Sequence, residues 1–207
     1  MSEYDTVAAF AEDEFIEKRS RFICAVTPVK TPVEAANFIK FQKEQHRDAR
    51  HTVWAYLLHE SDAMRYSDDG EPQGTGGQPV LEVIKRAGLR NVCVAITRYF
   101  GGILLGAGGL TRAYSNGAGL AIAAAKKVTM TTGVLFEITT DYSQYQRMNQ
   151  LMLSYDIKLL DSSFERAVSM NLLIKEGQYE AFCKELTEAT AATVQAIEKE
   201  RRFAAFD

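Results

Sequence analysis

Cysteine is scarce in this 207-residue chain: Cys24, Cys93 and Cys183 are the only three. They are odd in number, far apart and form no CxxC pair, which excludes a disulfide-built scaffold and points to reduced thiols in a cytosolic protein. The three histidines, His46, His51 and His59, have no metal-ligand spacing with those cysteines, which argues against a zinc site. Long apolar runs are missing too. None approaches the roughly 18 residues of a membrane helix. The opening MSEYDTVAAFAEDEF is acidic and lacks the cationic start and apolar run of a signal peptide, so a cytoplasmic protein without membrane association is expected. Acidic residues are absent from Val83 to Phe136, a stretch that holds Lys85, Arg86, Arg90, Arg98, Arg112, Lys126 and Lys127.

What remains is an ordinary globular composition, 46% apolar and 25% charged, enough for a sizeable core. The length predicts one large or two small domains. Net charge is −3, which disfavours a strongly nucleic-acid-binding protein as a whole. The charge is uneven, however. Residues 1–128 hold 16 Lys/Arg against 15 Asp/Glu, and residues 129–207 hold 8 against 12. The acid-free stretch is therefore a local positive field in a mildly acidic chain.

Phe15–Val29 is β-rich and crosses the basic knot Lys18-Arg19-Ser20-Arg21. Thr31, Pro32 and Glu34 form a capping box for a helix that ends near His46. Thr52–Leu58 and Asn91–Thr97 are apolar on both faces and read as central strands. Pro79–Ala87 reads as a helix stopped by Gly88. Seven of the 14 glycines fall between Gly101 and Gly119. The alanine-rich part from Leu110 predicts a helix whose Gly117 and Gly119 pack closely against a sheet. Lys126–Gly133 is the expected boundary, giving domains at 1–130 and 134–203. In the second, Val134, Phe136 and Ile138 alternate as a strand. A capping box at Ser143-Gln144-Tyr145-Gln146 opens a helix. Strands at 157–164 and 168–174, a helix through Tyr179, Phe182, Cys183 and Leu186, and a last strand at Thr193–Ile197 complete a β-α-β-β-α-β plan. That plan is ferredoxin-like, so the fold class is α+β with two domains.

Three stretches carry candidate chemistry. The first is Arg98-Tyr99-Phe100-Gly101-Gly102 through Gly106, Gly108, Gly109, Thr111 and Arg112, set between a strand and a helix. Glycines let backbone approach a ligand, and free N–H groups at a helix start favour an anion. A Walker A motif is absent because no Gly-Lys-Ser/Thr follows at the required spacing, and a dinucleotide fingerprint is absent because Thr111 stands where the third glycine is needed. The alternative is a glycine-packed turn without a ligand. The second is Ser67-Asp68-Asp69-Gly70-Glu71-Pro72-Gln73-Gly74-Thr75. It reads as a solvated turn, as a ligand contact through Asp68, Asp69, Glu71 and Thr75, or as a Mg²⁺ or acid–base site. The third is His51 beside Arg50, which reads as a base or, more simply, as the cap of a strand end. Arg19 and Arg21, next to Phe22, suit RNA or a solvated face.

Together, Lys18–Ile23, Ala49–Tyr56, Ser67–Pro72 with Gly74-Thr75, and Arg98–Ile103 through Leu110 with Arg112-Ala113-Tyr114 resemble the YigZ/IMPACT family, in the family's order. Gly76 stands where many members have Ala, and Leu104 where many have Lys. The β-α-β-β-α-β tail resembles the C-terminal domain of the bacterial two-domain branch. The resemblance implies an N-terminal α/β sandwich of the ribosomal-protein-S5-domain-2-like fold and a C-terminal domain similar to elongation factor G domain V. It also implies a translation-side role, since eukaryotic IMPACT is a translation regulator acting through a protein partner. It brings no cofactor, no metal and no catalytic residue. The expected role is a regulator that binds RNA, the ribosome or a translation-factor partner through Arg19, Arg21, Arg98, Tyr99, the loop glycines, Thr111 and Arg112. Tyr99, Phe100 and Tyr114 are its candidate stacking aromatics. The alternatives are a Mg²⁺-dependent phosphoryl or phosphodiester-transfer enzyme and a protein-interaction module.

Overall fold

A computed structural model describes residues 3–206. The chain divides into two compact units, Tyr4–Val128 and the part from Thr129 onward. Among the described residues no helix is long and apolar enough to cross a membrane.

The first unit runs β1 (Tyr4–Val7), β2 (Ala11–Glu17), β3 (Ser20–Pro28), α1 (Pro32–Gln45), β4 (His51–Leu57), β5 (Met64–Ser67), α2 (Gly77–Arg86), β6 (Val92–Tyr99) and α3 (Ala107–Ala124). β2-β3-β6-β4-β5 form one antiparallel sheet. Strand parity explains its two-sided burial. Val92, Val94 and Ile96 of β6, with Val53, Ala55 and Leu57 of β4, enter one core with Val80, Leu81 and Ile84 of α2 and Leu110, Ala113 and Tyr114 of α3. The intervening Cys93, Tyr56 and Leu58 meet Ala35, Phe38 and Ile39 of α1 on the other face. The sheet is therefore a middle layer between α1 and the α2/α3 pair.

Thr31 caps α1 by accepting from the Glu34 N–H at 3.1 Å. The Glu34 carboxylate reaches back to the Lys30 N–H at 2.7 Å, one residue before the cap. Gly117 is where α3 lies closest to the sheet: a Cβ there would stand 2.8 Å from Cys24 Sγ and 3.1 Å from Ile96 Cδ1. Gly119, expected to do the same, faces open space.

β7 (Lys127–Thr140) leads into the second unit, followed by α4 (Tyr142–Met152), β8 (Ile157–Phe164), β9 (Val168–Lys175), α5 (Glu176–Ala189) and β10 (Ala196–Ala205). The sheet order is β10-β7-β9-β8, all antiparallel, the ferredoxin-like arrangement read from the sequence. Phe136, Ile138, Met148, Leu172, Phe182 and Leu186 fill its core. Two local readings are corrected. The cap of α4 is Asp141, which accepts from the Gln144 N–H at 2.9 Å, and Ser143 donates to Asp141 instead of capping. The last strand begins three residues later than expected and runs on to Ala205.

Candidate functional site

β2 and β3 are joined by a two-residue turn in which Lys18 and Arg19 both have positive φ, 44° and 66°. This is the hairpin geometry whose twist matches the flanking strands. Gly101 rests on that turn. A Cβ at Gly101 would collide with the Arg19 carbonyl and the Ser20 nitrogen, so only glycine fits. The buried Ser20 hydroxyl ties the layers together, accepting from the Gly101 N–H at 3.2 Å and from Arg98 Nη2 at 3.3 Å.

Arg98 continues the parity of Val94 and Ile96 and so points inward, into the α2/α3 layer. Its Nη1 donates to Glu71 Oε1 at 2.7 Å, with both side chains nearly buried (6% and 5% exposed). Tyr114 donates its hydroxyl to the same oxygen at 2.8 Å. Burial, and then the Glu71 charge, push the Tyr114 hydroxyl far above its ordinary value, so it stays a donor. The Arg98 guanidinium lies 5.6 Å from the Phe22 ring centroid and 5.5 Å from that of Phe100. Its Nε is buried without a hydrogen-bond partner.

The acidic turn is organised from within. The Asp68 carboxylate accepts from the N–H groups of Gly74, Gly76 and Gly77 at 2.8, 2.9 and 2.8 Å, which shapes the entry into α2. Asp69 accepts from the Thr52 N–H at 2.7 Å and from Lys43 Nζ at 2.5 Å. Thr75 donates to the Pro72 carbonyl at 2.7 Å. The carboxylates of Asp68, Asp69 and Glu71 thus have three different sets of partners and do not converge. No group of three or more His, Cys, Asp or Glu side chains is placed to hold a metal ion among the described residues. His51 Nδ1 lies 2.8 Å from the Asp69 carbonyl. A carbonyl only accepts, so Nδ1 is the donor in this contact. Burial pushes the Cys24 thiol up to about 12 and raises Cys93 as well, so neither is a nucleophile at neutral pH.

The loop after β6 is the exposed part. Gly102 and Gly106 take φ of 82° and 74°, and Gly106 caps α3 without a side-chain partner. Gly106, Ala107 and Gly108 are exposed at this helix start. Beside it lies a cleft of about 380 Å³, lined in part by Arg50, His51, Glu71, Arg98, Phe100 and Gly106. Leu105 separates it from a second hollow of about 290 Å³ that carries Lys18, Gly109 and Arg112. The loop is therefore flanked by cations on both sides.

Not every residue expected at the site joins it. Arg21 pairs with Tyr99 across β3 and β6, on the sheet face opposite Arg98. Arg21 is bound to Glu14 at 2.5 Å, and the Tyr99 hydroxyl lies 3.1 Å from His46 Nδ1. Thr111 donates to the Ala107 carbonyl at 3.1 Å. Tyr114 is fully buried, so of the three candidate stacking aromatics Phe100 alone is exposed, at 46%. Ser20 and Leu105 were given no role from the sequence, and Arg50 stood there only as the neighbour of His51. Arg98 itself carried the missing signal: an arginine at inward parity on a buried strand demands a buried acidic partner.

Residues 18–122 match the Impact N-terminal domain, and residues 138–193 match a domain of unknown function (DUF1949). The chain belongs to the IMPACT family. The IMPACT family member YvyE of Bacillus subtilis (strain 168) is 36% identical over 188 residues, covering 90% of this chain and 87% of that protein. An IMPACT family member of Haemophilus influenzae is 36% identical over 177 residues, covering 84% and 86%. A solved structure titled "Crystal structure of an hypothetical protein" superposes with a TM-score of 0.63 at 28% identity, covering 97% of this chain and 98% of that one. The Impact N-terminal match spans the hairpin turn, His51, the acidic turn and the glycine loop.

Proposed function

We propose that this IMPACT-family chain is a translation-associated regulator in the cytoplasm that binds RNA of the translation machinery at one end of its first unit. Lys18, Arg19, Arg50 and Arg112 meet phosphates, together with the uncapped amides at the start of α3. Phe100 is the stacking aromatic. Arg98 is a positioning residue: its ion pair with Glu71 fixes the β6 end from which the loop departs. One observation carries this reading. Exposed cations surround the 102–109 loop, while the acidic side chains of the neighbouring turn are engaged in internal bonds. The same divergence of Asp68, Asp69 and Glu71 weighs against a Mg²⁺-dependent phosphoryl-transfer site.

Titration of a fluorescently labelled single-stranded RNA at several salt concentrations tests the proposal. Each phosphate contact removed lowers the slope of log K against log salt by about one. The R50A/R112A double variant is expected to bind at least tenfold more weakly and with a flatter slope. Binding identical to the parent at every salt concentration refutes the site. A second reading, docking of a translation-factor protein, draws on the apolar loop tip, where Leu104 is 82% exposed beside Ile103. Recovery of the partner after nuclease treatment, lost in Leu104→Asp, distinguishes it.

A further inference from the structure

The opposite face of the first unit's sheet carries a separate groove of about 690 Å³, within the range of small-ligand sites. It lies between α1 and the β4–β5 edge. Trp54 and Tyr56 form one wall, their rings parallel to within 5° and 6.0 Å apart. Tyr56 is buried and backs the half-buried Trp54, whose remaining surface is open. Arg65 pairs with Tyr56 across the strands and therefore lies on the same face. On the α1 side, Ile39 and Ala36 are apolar, and Lys40, Lys43 and Arg47 add cations. Glu44 is the one acidic residue that lines the groove.

The cations are unequally engaged. Lys43 is bound to Asp69. Lys40 makes a long 3.8 Å pair with Glu44, both side chains exposed, an arrangement worth little in water. Arg47 donates Nε to a backbone carbonyl, and its charge is not neutralised there. The Arg65 side chain has no ion-pair or hydrogen-bond partner among the described residues. A flat aromatic platform bordered by cations suits a ligand that is itself flat at one end and anionic at the other.

We propose that this groove binds a free nucleotide, with the base against Trp54 and the phosphates at Arg65, Lys40 and Arg47. The site is distinct from the proposed RNA-binding end and does not depend on it. Trp54 is the chain's single tryptophan, so its fluorescence reports on the groove directly. The test is titration of the full chain with ADP and with GDP, excited at the red edge of tryptophan absorption, beside adenosine and inorganic phosphate separately. Saturable quenching by the nucleotides is expected, with weaker binding of either fragment alone. Arg65→Ala and Lys40→Ala change exposed side chains and are each expected to weaken nucleotide binding about tenfold, while Arg112→Ala leaves it unchanged. Absence of saturable quenching, confirmed by absence of heat in calorimetry, overturns the proposal. Quenching that Arg65→Ala and Lys40→Ala leave unaltered overturns it equally, as does phosphate alone binding as tightly as the nucleotide.

Discussion

The acidic turn at 67–77 and the glycine loop at 100–112 look alike in sequence, each a glycine-rich stretch with candidate ligand-binding residues. In the folded chain they have opposite characters. Asp68 organises three backbone amides, Asp69 joins β4 to α1 through Thr52 and Lys43, and Glu71 is buried against Arg98 and Tyr114. In the loop region, Lys18, Arg50 and Arg112 remain exposed around a helix start with no side-chain cap. Charge counted along a chain is therefore not charge available to a ligand. A short carboxylate beside free amides is captured by its own backbone, whereas a long arginine on a helix surface stays in water.

Substitutions in the two regions should separate along that line. The largest effect is expected at Glu71→Ala, which strands the Arg98 charge in the interior at a cost of about 3–5 kcal/mol. Urea unfolding of the first unit measures it, and a loss below about 1 kcal/mol would show that Glu71 is not a buried partner. Gly101→Ala drives a methyl into the Arg19–Ser20 backbone and should cost about 1–3 kcal/mol, the usual range for overpacking. Asp68→Ala removes a charged acceptor from three amides and should cost about 2 kcal/mol, which a thermal melt detects.

Arg112→Ala belongs to the other class. Its effect on stability should stay within about 0.5 kcal/mol, while RNA affinity falls and the slope of log K against log salt drops by about one. A variant that unfolds the protein while RNA binding per folded molecule is unchanged would reverse the contrast. The smallest effect lies in the second unit. Lys175 Nζ, 2.8 Å from Asp156, holds that carboxyl below its ordinary value of 3.8. A depressed value contributes stability that is full above 3.8 and is lost as pH falls through the lower folded value. Asp156→Asn should therefore flatten the acid limb of the second unit's stability profile slightly. An unchanged profile means that solvent already screens the pair.

The sequence was most informative where local chemistry decides. The Thr31 cap, the double-faced strands β4 and β6 and the alternation of the second unit follow from neighbours a few residues apart. Partners distant along the chain were not legible. Glu71, Arg98 and Tyr114 converge only because β6, α3 and the acidic turn meet at one end of the sheet. The strand β10 was also obscured. The expected strand stopped at Ile197, before the Glu198-Lys199-Glu200-Arg201-Arg202 run, yet charged residues are what an edge strand uses to block further pairing. At α4, the Asp141 carboxylate outcompetes the Ser143 hydroxyl for the Gln144 N–H because it is the stronger acceptor. The split of Arg21 and Tyr99 from Arg98 follows from strand parity, because neighbours along a strand point to opposite faces.

The most direct test of the central claim is sucrose-gradient sedimentation of cell lysate at low and moderate salt, following this chain and its R50A/R112A variant by blotting. The account predicts co-sedimentation with ribosomal particles that weakens as salt rises and is largely lost in the variant. A chain that stays at the top of the gradient at both salt concentrations contradicts it.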